Sequence, residues 1–202
     1  MSGNSRGIKQ LSSKAVAFAK RHRDAVLDVI LFGSVARGKE TPGDIDILVI
    51  FKEGIDLGLL QELRHALGDQ NVQVTGKSWA QLFDASFNAR EAVLSEGYSL
   101  LRNTGIAEGL GYDAHVIFKY DLTGLSKSQR MRFYYSLHGR NSTGILAELV
   151  ASRFSDNALL CPVESVDRMR EYLASWKLAV VELPVLIPSR LARILRQKPR
   201  EP

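Results

Sequence analysis

The stretch from Leu31 to Ile50 constrains this chain most: Gly33-Ser34 ends one apolar run and Asp44-Ile45-Asp46 opens another. Val26, Leu27, Val29, Ile30, Leu31 and Phe32 read as a buried strand. Gly33 breaks it just before Ser34-Val35-Ala36-Arg37, which can start a helix. The free amides of such a start, together with the positive end of the helix dipole, make an anion site. Ser34 adds a hydroxyl donor there, and Gly33 lets the backbone approach closely. Thr41-Pro42-Gly43 is turn chemistry. Beyond it Asp44 and Asp46 stand two residues apart on a strand, so both project from one face. Two carboxylates so placed repel and are costly to bury unless a cation sits between them, and oxygen ligands suit Mg²⁺ or Mn²⁺. This layout predicts a phosphoryl-transfer site that uses a divalent cation.

An Asp-x-Asp step by itself is common at strand ends. Here it follows a Gly-Ser pair at a strand-to-helix turn, with nine residues between Ser34 and Asp44. The combination resembles the signature of the nucleotidyltransferase superfamily that includes DNA polymerase beta, and most of all its minimal nucleotidyltransferase branch. The resemblance covers about the first half of the chain. It implies an α/β fold of the α+β kind, in which a mixed sheet is flanked by helices. It also implies a donor NTP, ATP first, with Mg²⁺ or Mn²⁺ as cofactor and an acceptor hydroxyl on RNA, DNA or protein. Asp44 and Asp46 would be the catalytic metal ligands, Gly33 and Ser34 would hold the β- and γ-phosphates, and Arg37 would reach a phosphate as a charge-assisted donor.

In active members of that family a third acid comes from the next strand. The matching position here is Gln73, whose amide accepts hydrogen bonds or ligates a metal weakly but is no useful base. Asp69 lies four residues away, roughly 13 Å along an extended chain, and is no substitute. Two functions follow as expectations. One is transfer of a nucleoside monophosphate from an NTP to a hydroxyl, with release of pyrophosphate. The other is a catalytically degenerate nucleotide-binding module acting as a nucleic-acid-binding or antitoxin-like regulator.

Around this segment, residues 14–20 read as an amphipathic helix and Leu57–Leu67 as another that Gly68 can cap. Residues 71–75 read as a strand, and residues 89–101 resemble the closing helix of minimal family members. Arg102-Asn103-Thr104-Gly105 interrupts the pattern and suggests two domains, 1–104 and 105–202. In the second half the spacing predicts strands at 114–120, 157–161 and 178–187, the last broken by Pro184 and so an edge or a bulge. Helices are predicted from Ser126 to Leu137, over 145–150 and over 165–176, giving a small α/β domain of no recognised family.

Charge is uneven, with 14 Lys and Arg against 10 Asp and Glu from Asn103 onward, out of a net +5 for the whole chain. That balance suits an anionic partner, and equally plain solubility. Lys127, Arg130, Arg132 and Arg140, interleaved with Phe133, Tyr134 and Tyr135, could contact phosphates and stack on bases. The competing expectation is that Met131, Tyr134, Tyr135 and His138, at helical spacing, form a buried stripe. Arg190, Arg193, Arg196 and Arg200 make a second basic element that could follow a phosphate backbone or fray.

A single cysteine, Cys161, excludes an internal disulfide and any multi-cysteine zinc site. No stretch has membrane-spanning length and no signal-like start is present, so the expected location is the cytoplasm, where the Asn141-Ser142-Thr143 sequon has no meaning. Thr75-Gly76-Lys77-Ser78 mimics the end of a P-loop, but Asn71 stands where the loop's first glycine is needed. The oligomeric state is not legible in the sequence.

Overall fold

The apolar residues on either side of Gly33 and Asp44 build the centre of a mixed sheet. The computed structural model describes residues 3–37, 44–68, 71–140 and 143–195. The chain divides into two units, Met1–Gly109 and Leu110–Pro202. The first begins with α1 (Gly3–Arg21), β1 (Val26–Phe32) and β2 (Ile45–Phe51), followed by α2 (Leu57–Leu67) and β3 (Val72–Ser78). A 3₁₀ turn (Ala80–Phe83), α3 (Arg90–Glu96), β4 (Tyr98–Ser99), β5 (Thr104–Gly105) and the single-turn α4 (Ile106–Gly109) complete it.

The strand order is β3-β2-β1-β4-β5. β2 and β3 are parallel and the other pairs antiparallel, so the sheet is mixed with flanking helices. The parallel pair requires a crossover, which α2 supplies. Asp56 caps that helix, its carboxylate accepting the Gly58 and Leu59 amides at 2.8 and 3.0 Å, and Gly68 ends it at φ +89°.

β1 and β2 are apolar on both faces because both faces are covered. Val29, Leu31, Ile47, Val49 and Phe51 pack with Leu11, Ala15 and Phe18 of α1 and with Leu60 and Leu63 of α2. On the opposite face Ile30, Leu48 and Ile50 pack with Phe87 and Val93. Truncating a fully buried member such as Phe51 or Leu63 to alanine would cost about 2–5 kcal/mol. Asp46 continues the row of Leu48 and Ile50, so it lies on the second face, away from α1 and α2.

Several elements depart from the sequence-based expectation. The helix expected over 89–101 stops at Glu96, because Tyr98 and Ser99 leave it to pair with Leu31 and Ile30. Arg102-Asn103-Thr104-Gly105 is the turn and returning strand of a hairpin within the first unit, with Asn103 at φ +54°. β3 runs on to Ser78, so Thr75-Gly76-Lys77-Ser78 is strand; a Cβ on Gly76 would sit 2.9 Å from Leu60 Cδ1 and 3.0 Å from Phe51 Cε2. Thr41-Pro42-Gly43, Asp69, Asn141 and Ser142 of the sequon, and the tail from Arg196 lie outside the described residues.

The second unit holds β6 (Tyr112–Asp121), α5 (Lys127–His138), α6 (Ile145–Glu148), β7 (Ser152–Ser155) and β8 (Ala158–Pro162). A 3₁₀ turn (Val163–Ser165), α7 (Val166–Ser175), β9 (Ala179–Pro188) and α8 (Ser189–Leu195) follow. Its sheet, β7-β8-β6-β9, is antiparallel throughout. Val116, Phe118 and Tyr120 of β6 and Leu159 and Cys161 of β8 form one core with Phe133, Leu137, Met169 and Leu173 from the helices. Pro184 stands on the edge strand β9 opposite Val116, as its missing N–H demands. Cys161 is fully buried, and its thiol is pushed up to about 12, first by burial and then by the Glu164 charge.

The buried stripe expected on α5 is corrected here. Met131 and Tyr134 are each 49% exposed, whereas Phe133 and Leu137 face the core. Apolar residues lie on both sides of this helix, and the sheet takes the side on which Phe133 reaches Tyr120, Tyr172 and Trp176. No described helix is long and apolar enough to cross a membrane.

Candidate active site

Where β1 ends, Gly33 turns the chain at φ +75°, a backbone conformation that side-chain-bearing residues rarely adopt. A Cβ at Gly33 would stand 2.7 Å from Asp46 Oδ2, so the torsion calls for glycine and any side chain there would make the carboxylate turn away. The approach follows from register, since Phe32, the residue before the turn, pairs with Asp46 across β1 and β2. Residues 33–37 form a hydrogen-bonded turn in which the Arg37 amide donates to the Gly33 carbonyl at 3.2 Å. Within the described residues this is the whole of the helix start expected at Ser34. Val35, 5% exposed, anchors the turn in the core while Ser34 stays half-buried.

Asp44 is exposed immediately before β2 and Asp46 is half-buried at its start. Burial pushes the Asp46 carboxyl above its ordinary value, and the neighbouring Asp44 charge pushes it further in the same direction. Repulsion between neighbouring carboxylates is what a divalent cation held between them would relieve. Gln73 of β3 pairs in register with Asp46 and is exposed, so the amide stands beside the carboxylate on the same face. Farther along that face Lys77 Nζ sits 5.4 Å from the centre of the Phe87 ring.

Among the described residues no group of three or more His, Cys, Asp and Glu is placed to hold a metal ion. Asp44 and Asp46 are the carboxylates among the described residues that would hold a divalent ion at this turn, with the Gln73 amide beside them. Mg²⁺ is commonly held that way, by one or two carboxylates plus substrate phosphates, so the donor set fits it.

Arg37 is joined to Glu96 at the end of α3, Nη1 to Oε2 at 2.6 Å, with the two side chains only 14% and 16% exposed. The pair ties the glycine turn to α3. Glu96 was not legible as a partner, because 59 residues separate it from Arg37. Asp28 was missed as well, although one acid inside an otherwise apolar strand is a visible signal. It is 4% exposed and accepts bonds from Ser99 Oγ at 2.9 Å, from the Val29 amide at 2.8 Å and from the Arg102 guanidinium. Its partners are all structural, binding β1 to the β4–β5 hairpin.

Lys127, Arg130, Arg132 and Arg140 belong to the second unit. All four are exposed. Arg130 also folds back on its own chain, its Nε donating to the Leu125 carbonyl at 3.0 Å and Nη2 to the Thr123 carbonyl at 3.4 Å.

Residues 12–94 match the model of a family described as the nucleotidyltransferase domain. No curated protein matches the chain. Among solved structures, one of a toxin-antitoxin with AMP-PNP is 26% identical, over 44% of this chain and 71% of that one, at a TM-score of 0.35. A tri-AMPylated Shewanella oneidensis HEPN toxin in complex with MNT antitoxin is 25% identical, over 46% and 70%, at 0.33. The toxin-antitoxin MntA-HepT is 24% identical, over 46% and 70%, at 0.32.

Proposed function

We propose that the chain, whose residues 12–94 match the nucleotidyltransferase domain model, moves a nucleoside monophosphate from an NTP to an acceptor hydroxyl and releases pyrophosphate. The observation that supports this reading is that a Cβ at Gly33 would lie 2.7 Å from Asp46 Oδ2, so the glycine turn and that carboxylate are neighbours. Asp44 and Asp46 would hold Mg²⁺ or Mn²⁺, which when bound neutralises phosphate charge and lowers the pKa of the attacking hydroxyl.

The chain's own groups do the rest. Gly33 and Ser34 offer a backbone amide and a hydroxyl to the β- and γ-phosphates, while Arg37 and Glu96 fix the turn that presents them. The acceptor oxygen bonds to the α-phosphorus, the bond to the bridging oxygen breaks, and pyrophosphate leaves. Gln73 cannot take the hydroxyl proton, which passes to solvent.

A second reading rests on that same Gln73. With a neutral amide beside Asp46 and no cluster of three acidic or imidazole ligands among the described residues, the unit could keep nucleotide without transferring it. An NTP labelled at the α-phosphate, in parallel with one labelled at the γ-phosphate, separates the readings when offered with divalent ion and pools of RNA, DNA and protein. Transfer sends the α-label to one pool and the γ-label to pyrophosphate. Retention of intact NTP, with no pool labelled, selects the binding module.

A further inference from the structure

The outward face of α5 carries the chemistry of a ligand that the nucleotide site does not need. Ser126 and Gln129 close a capping box at its start, so the helix is well defined from its first turn. Phe133 and Leu137 anchor one side, and Ser136 Oγ lies 2.6 Å from the Tyr172 hydroxyl. On the opposite side Met131 and Tyr134 are each about half exposed. The Tyr134 ring lies 4.5 Å from that of His138 at 41° and 6.1 Å from that of Tyr135, and the Arg140 guanidinium covers Tyr135 at 4.9 Å. Burial, and then the Arg153 charge, push His138 below its ordinary value, which favours the neutral ring beside Tyr134.

Between Asp121 and Glu148 the sequence contains no Asp or Glu but does contain Lys127, Arg130, Arg132 and Arg140. The acids that flank this stretch are engaged, Asp121 with the Thr123 amide and hydroxyl and Glu148 with Arg168 at 3.6 Å, and Asp156 is paired with Arg153. Lys127 and Arg132 form no ion pair with a described carboxylate. A helix face with outward rings and unneutralised cations suits a ligand that offers flat π-surfaces and phosphates together.

We propose that the outward face of α5, through Tyr134, Tyr135 and His138 and the cations Lys127, Arg132 and Arg140, binds single-stranded nucleic acid. A duplex hides its base faces, so a single strand is the form that such rings can stack upon. The 12 residues of α5 span about 18 Å, long enough to lie along several successive nucleotides. The proposal lies wholly in the second unit and stands whether or not the first unit transfers nucleotide.

The test titrates the full-length chain against fluorescent oligouridylate, oligothymidylate and a duplex, read by anisotropy between about 50 mM and about 200 mM salt. Both single strands should bind more tightly than the duplex, and preference between them identifies RNA or DNA as the ligand. Tyr134→Ala should weaken single-strand binding by about 5- to 150-fold, the loss expected for one base stack, while Tyr134→Phe keeps it. Lys127, Arg132 and Arg140 changed together to Ala should flatten the log–log salt slope by about 2, at about 0.7 per phosphate contact. Unchanged thermal unfolding of these variants confirms that the fold is kept. No binding at the lower salt, or binding that neither set alters, overturns the proposal. So does sedimentation in which Tyr134→Ala dissociates a dimer while leaving nucleic-acid binding intact, since the face would then belong to a second copy.

Discussion

Gly33→Ala tests whether the turn and Asp46 form one unit. At φ +75° an alanine pays about 1–2 kcal/mol for left-handed backbone. Its Cβ would also fall 2.7 Å from Asp46 Oδ2, the end of a side chain that must leave its rotamer to make room, at about 0.5–1.5 kcal/mol. The sum, about 1.5–3.5 kcal/mol, is a large share of a typical domain stability of about 5–15 kcal/mol. Only the overlap depends on Asp46, so Asp46→Ala should rescue that part and leave the torsional part. A urea-unfolding cycle over the two single variants and the double variant should give a coupling of about 0.5–1.5 kcal/mol in the direction of rescue. Full additivity, with no coupling in that direction, would refute the reasoning, because the carboxylate would then not be what the glycine makes room for.

Three further outcomes are expected. Gln73→Asp places an anionic oxygen in register with Asp46 and should raise transfer at least about tenfold, about 1.4 kcal/mol of barrier, in a labelled-NTP assay; a fast wild type slowed by the change would mean that two carboxylates suffice. Glu96→Gln strips the charge from the partner of a mostly buried Arg37 and should cost about 1–3 kcal/mol in chemical denaturation, with unaltered stability counting against the tie. Cys161 keeps its proton in the folded state up to about 12, against 9.0 for a free thiol, so its stabilising contribution is complete below pH 9.0 and is lost as pH rises toward 12. A thiol reagent at pH 8 should therefore spare the native protein and label it only after unfolding, and rapid native labelling would contradict that burial.

The geometry of the candidate site was legible in the first unit because strand periodicity and glycine chemistry are local. Asp44 and Asp46 needed only the period of two, and Gly33 only the break in an apolar run. Gln73 also fell beside Asp46, since a parallel neighbour follows from a strand-helix-strand pattern. What stayed hidden depends on distant partners or on elements too short for a period. β4 and β5 are two residues each and exist through pairing with β1 and with one another. The Arg37–Glu96 tie is a tertiary contact with no local signal. On α5 the sequence offers two apolar sides, and only the positions of Tyr120, Tyr172 and Trp176 decide that Phe133 turns inward and Tyr134 outward.

The central claim is that Asp44 and Asp46 make the nucleotide site depend on a divalent cation. Calorimetric titration of a non-hydrolysable NTP analogue into the wild type and into Asp44→Asn with Asp46→Asn, each with Mg²⁺ and with chelator, tests it directly. The wild type should bind with Mg²⁺ and lose that binding in chelator. The double variant, folded as judged by its thermal transition, should show no dependence on Mg²⁺ and only the weak affinity that the Gly33-Ser34 turn retains alone. Equal Mg²⁺-dependent affinity in the two proteins would contradict the account.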